Sequence, residues 1–167
     1  MSEMNLRERI MALGKHHARA YDIANKFLEE AGLTGRINVD EATHSNKPEN
    51  KTTSLDYILQ PPLFGNGNDY ISLDITSRYI EVEYSRKIAN SLKEFRRNSS
   101  LVYVLERIVR KAGFKPKNNV DVKNYEDVEY IDICLKERVH VGNYTKLAKT
   151  LHLVEEVICA YFGWLVI

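Results

Sequence analysis

Residues 70–84 read YISLDITSRYIEVEY. Ile71, Leu73 and Ile75 alternate with Ser72 and Asp74, and Ile80, Val82 and Tyr84 then alternate with Glu81 and Glu83. Alternation on both sides of Thr76-Ser77-Arg78 predicts an antiparallel hairpin with one apolar face and one wet face. Residues 128–136 repeat the pattern through Ile131, Ile133 and Leu135, adding a third strand.

Helical spacing surrounds these strands. Leu6, Ile10, Leu13, Tyr21, Ala24, Phe27 and Leu28 recur every three to four residues, predicting a helix over 5–31 that ends at Gly32. Ile88, Leu92 and Phe95 predict a second over 86–97. Leu101, Val104, Leu105, Ile108 and Val109 predict a third over 100–112, with Asn98-Ser99-Ser100 as the break. Residues 144–162 predict a fourth. The expected fold is α+β in a single domain over 1–167. A small, mostly antiparallel sheet (hairpin 70–84 plus strand 128–136) is packed with four helices, mainly on one face. Residues 40–54, DEATHSNKPENKTTS, are polar without periodicity and predict a mobile loop. Residues 114–126 read as a polar connection.

Charge is segregated along the chain. Its 24 basic and 23 acidic residues leave a net charge of only +1. Residues 84–117, however, contain Arg86, Lys87, Lys93, Arg96, Arg97, Arg107, Arg110, Lys111, Lys115 and Lys117 against Glu94 and Glu106, a net +8. The flanking segments are acidic. Such a band attracts polyanions or acidic partners. On the predicted helix over 86–97, Arg86, Lys93 and Arg97 form a stripe opposite Ile88, Leu92 and Phe95.

Other function classes find little footing. Cys134 and Cys159 sit in apolar stretches and read as buried thiols of a reducing compartment, not as a disulfide framework. The N-terminal MSEMNLRERI has no apolar run of a secretory signal, and no segment reaches the roughly 18–20 apolar residues of a membrane span, so a cytoplasmic protein is expected. The glycines of QPPLFGNGND (residues 60–69) lack the Lys-Ser/Thr pair of a phosphate loop. Adjacent His16 and His17 diverge by about 100° on a helix and do not chelate one metal. No cofactor or catalytic motif stands out.

Two segments resemble known patterns. NYTKLAKTLHLVEEVICAYF (residues 143–162) resembles a helix-turn-helix, with Leu147, Ala148 and Leu151 on the first helix, His152-Leu153 at the turn and Ile158 on the second. The second helix carries no Arg, Lys, Asn or Gln to read bases. Residues 74–87 are similar to the PD-(D/E)xK nuclease pattern, although Glu81-Val82-Glu83 stands where that pattern has ExK. If the third strand joins the hairpin, Asp74, Glu81, Glu83, Asp132 and Lys136 share its wet face, an arrangement that resembles a Mg²⁺-dependent nuclease site.

The leading expectation is a small cytosolic nucleic-acid-binding or regulatory protein that contacts a polyanion through the basic band at 86–117. The alternatives are a protein-interaction module (an inhibitor or adaptor) binding an acidic partner, and a metal-dependent nuclease. The uncharged end VICAYFGWLVI (residues 157–167) predicts a homodimer contact through Tyr161, Phe162 and Trp164.

Overall fold

A computed structural model describes residues 14–45, 51–60, 69–89, 95–112, 119–125 and 128–161. Helix α1 (Lys15–Glu30) and a short 3-10 turn (Thr34–Arg36) lead into strands β1 (Ile37–Ser45), β2 (Thr52–Leu59), β3 (Tyr70–Ile75) and β4 (Tyr79–Ala89). Helix α2 (Phe95–Lys111), strands β5 (Asn119–Tyr125) and β6 (Val128–His140) and helix α3 (Thr145–Tyr161) follow. The six strands form one antiparallel sheet in the order β1-β2-β3-β4-β6-β5.

The sheet grows from the hairpin predicted at 70–84. Ile75 pairs with Ile80 beside the turn, and Thr76 holds that turn by accepting the Tyr79 N–H on Oγ1 at 2.9 Å. β4 and β6 then pair from Tyr79–His140 to Ala89–Tyr130, the longest ladder among the described residues. Alternation places Leu55, Tyr57, Leu73, Ile80, Val82, Tyr84, Ile131 and Ile133 on one buried face. All three helices cover that face. α1 packs on β2 and β3, α2 on β5, and α3 against both other helices. Tyr21, Ala24, Phe27 and Leu28 of α1 enter the core as their spacing predicts, together with Leu101, Leu105 and Val109 of α2. β1 is an edge strand, and a register shift between Val39 and Glu41 leaves Asp40 as a bulge, a feature that blunts edge-to-edge pairing.

Several expectations need correction. Three α-helices, not four, occur among the described residues. The expected helix over 86–97 does not form as one element: 86–89 belong to β4, 95–97 belong to α2, and 90–94 lie outside the described residues. Asn98-Ser99-Ser100 does not break α2, since none of the three is a strong helix breaker. Within the stretch 40–54, residues 40–45 belong to β1 and 52–54 to β2, while 46–50 lie outside the described residues. β5 occupies most of the expected polar connection. α3 passes unbroken through His152-Leu153, where no Gly or Pro interrupts it, so the helix-turn-helix resemblance fails. No helix among the described residues is long and apolar enough to cross a membrane.

Gly32 ends α1. Its φ of +69° is open to glycine at no steric penalty, and the Leu33 N–H turns back to the Leu28 carbonyl at 2.9 Å. A Cβ added here would overlap the His152 imidazole of α3. Gly32→Ala is therefore expected to lower unfolding free energy by about 1–2 kcal/mol through left-handed backbone strain, with displacement of His152 from Glu156 in addition. Urea unfolding checks this, and an unchanged midpoint would contradict it.

Candidate functional site

The basic band does not survive folding as one surface. Its first member, Arg86, points from β4 into the core with 0% exposure. Arg86 Nε and Nη2 donate to Glu155 Oε1 and Oε2 of α3 at 2.5 and 3.0 Å, a bidentate pair. Nη1 donates to Asp69 Oδ2 at 3.0 Å, and Asp69 Oδ1 also accepts the Lys87 backbone N–H at 2.8 Å. Glu155 further accepts Arg36 Nη1 at 3.0 Å and the Tyr84 hydroxyl. Two guanidinium groups and two carboxylates thus neutralise one another beneath α3. Burial alone would raise the Glu155 pKa, but the hydrogen bonds and charge of Arg86, with bonds from Tyr84 and Arg36, hold it below the ordinary value of 4.5. Burial, followed by the Glu155 charge, pushes the Tyr84 phenol well above 10. Arg86 is therefore a structural cation and is withdrawn from the candidate surface.

The remaining members divide. Lys87 is half-buried on β4, and its register partner on β6 is Asp132. Lys93, Lys115 and Lys117 lie outside the described residues, and Arg96 and Arg97 fall in the first turn of α2. Arg107, Arg110 and Lys111 are exposed on α2. The helical repeat of about 100° per residue puts Tyr103, Arg107 and Arg110 within a narrow arc opposite Leu101, Leu105 and Val109, with Lys111 at its border. Tyr103 is 63% exposed, the most exposed large hydrophobic residue among the described residues, and Val104 beside it is also exposed. No salt bridge to Arg107, Arg110 or Lys111 forms among the described residues. Arg110 and Lys111 in the last turn complement the helix dipole, but Arg107 and the bare Tyr103 ring are not explained by that local effect.

The wet face of the sheet assembles as its alternation predicts. β6 joins β4 with Lys136 opposite Glu83 and Arg138 opposite Glu81, while Asp74 lies opposite Glu81 on β3. Glu81 is met by Lys136 at 3.5 Å and Arg138 at 3.2 Å. Glu83 accepts the Tyr70 hydroxyl at 2.8 Å, and burial together with this bond raises the Tyr70 pKa to about 12. Asp56 accepts the Ser72 hydroxyl. The nuclease-like carboxylates are thus spread across strands, and Glu81 and Glu83 are engaged by neighbours. Among the described residues no three His, Cys, Asp or Glu side chains gather in a way that would hold a metal ion. Tyr161 is the last residue of α3, while Phe162 and Trp164 lie outside the described residues.

No protein-family model, curated protein or solved structure matches this chain.

Proposed function

We propose that the outward face of α2 is a binding surface for a polyanion, with nucleic acid as the expected partner. The observation that carries this reading is the arc of Tyr103, Arg107, Arg110 and Lys111. Its side chains are exposed, its cations are without salt bridges among the described residues, and it lies opposite the buried stripe of the same helix. Arginines spaced along an exposed helix meet successive phosphates without regard to sequence. A bare aromatic ring among them offers a stacking platform for an unpaired base.

Fluorescence anisotropy with a single-stranded oligonucleotide, a duplex of the same sequence and an acidic peptide tests the reading. Binding of either nucleic acid should weaken steeply as salt rises. Tyr103→Ala should weaken the single strand by about fivefold to 100-fold, the loss of one stacked base, and affect the duplex less. Tyr103→Phe should restore the single-strand affinity. Binding of the acidic peptide alone would overturn the nucleic-acid assignment and favour the protein-interaction alternative.

A further inference from the structure

A second site lies at the end of the sheet, away from the polyanion face of α2. The turn between β3 and β4, the start of β2 and the first turn of α1 enclose a cleft of about 780 Å³. That volume lies within the range of roughly 300–1,000 Å³ common for small-molecule sites. Its wall is polar and carries both signs of charge, with cations from Lys51, Arg78 and Arg138 and carboxylates from Asp74 and Glu81.

These charges are not equivalent. Glu81 and Arg138 satisfy each other at 3.2 Å, Lys136 adds a second cation to Glu81, and the Arg138 guanidinium lies 5.8 Å from the Tyr79 ring centroid. Lys51, Arg78 and Asp74 remain, and their side chains have no partner among the described residues. The backbone beneath Arg78 is held in place. Its N–H reaches Thr76 Oγ1 at 3.3 Å, and its carbonyl accepts the Val141 N–H at 2.9 Å. The wall also contains His16. Its Nε2 is the one buried side-chain nitrogen or oxygen lacking a hydrogen-bond partner among the described residues. The Lys51 backbone hydrogen-bonds the His16 ring, which ties the start of β2 to the first turn of α1 at this wall.

We propose that this cleft binds a small molecule carrying an oxyanion, phosphate or carboxylate, on a hydroxyl-bearing body. Lys51 and Arg78 hold the oxyanion through charge-assisted hydrogen bonds, and Asp74 accepts a hydroxyl of the body. Two exposed cations on one wall suit one oxyanion group, and the Asp74 carboxylate selects for a donor on the same molecule.

The test is calorimetry on the full chain with a hexose phosphate, the matching sugar acid, the uncharged hexose and inorganic phosphate. The hexose phosphate or the sugar acid should bind at least about tenfold more tightly than the uncharged hexose, the difference made by charge-assisted bonds. Whichever of the two binds better identifies the oxyanion. Arg78→Gln and Lys51→Gln should each weaken that ligand by about tenfold or more without shifting the thermal midpoint, because both side chains are exposed. Asp74→Asn should bring a bound hexose phosphate down to the level of inorganic phosphate. No binding of either oxyanion probe at millimolar concentration would overturn the proposal, as would equal affinities in the wild type and the Arg78→Gln, Lys51→Gln double variant. The Arg107, Arg110 and Lys111 variants of α2 should leave this binding unchanged, which separates failure here from failure of the polyanion reading.

Discussion

Glu155→Ala is expected to destabilise the protein by about 3–5 kcal/mol, a large part of the roughly 5–15 kcal/mol that holds a domain of this size. The loss comes less from the missing carboxylate than from what remains. Arg86 stays fully buried and keeps Asp69 but loses its bidentate carboxylate, and the Tyr84 hydroxyl loses its acceptor. Arg86→Met should cost a similar amount by leaving Glu155 and Asp69 without their shared cation. Combining Arg86→Met with Glu155→Leu should cost clearly less than the sum of Arg86→Met and Glu155→Leu made singly, because apolar side chains of similar volume replace a buried pair with little penalty. Guanidinium unfolding of the four proteins measures this coupling. Single variants that each lose under about 1 kcal/mol would contradict a buried network of this kind.

The same network sets a pH dependence. Because the Glu155 pKa is lowered on folding, its contribution to stability is fully present above the ordinary value of 4.5 and is lost as pH falls through the folded value. Glu155→Gln should therefore be less stable than the wild type at neutral pH and lose less on acidification. Parallel acid profiles for the two proteins would exclude Glu155 as a contributor.

The second large effect concerns function. Replacing Arg107, Arg110 and Lys111 together by Glu is expected to weaken nucleic-acid binding on the order of 100-fold at low salt, the loss of about three phosphate contacts. The three side chains are exposed, so the fold should persist with only a small loss from acidic groups in the last helical turn. The Gln version of the same triple change removes charge without adding repulsion and should fall between wild type and the Glu variant. Equal affinity in all three would place the polyanion contact elsewhere on the chain.

Much of the sheet was legible because its central strands alternate cleanly. Residues 71–75, 80–84 and 131–135 have apolar residues at every second position, and the wet-face set of Asp74, Glu81, Glu83 and Lys136 follows from that period alone, whereas Asp132, opposite Lys87, is buried. The later part of β1 and all of β5 are hidden in the sequence because they are edge strands with few apolar residues: DEATHS and NVDVKNY give weak alternation. The end of β4 is obscured for a different reason. Ile80, Val82, Tyr84, Arg86 and Ile88 continue one period-two series, but an arginine in the inward position reads as a break in the apolar face. The matching signal lay on α3, where Glu155 occupies the stripe otherwise formed by Leu147, Leu151 and Ile158. An acid on an apolar helix face and an arginine on an apolar strand face are each anomalous alone and consistent as a pair. The cleft at the end of the sheet could not be read from sequence, since Lys51, Arg78 and His16 meet only through tertiary packing.

The central claim is that α2 binds polyanions through its outward arginines and lysine, and the salt dependence of binding tests it most directly. Logarithmic affinity for a single-stranded oligonucleotide, plotted against logarithmic salt concentration, should give a line whose negative slope shrinks by about two in the Arg107→Gln, Arg110→Gln, Lys111→Gln protein, roughly 0.7 for each phosphate contact removed. An identical slope for the wild type and this variant would contradict the account.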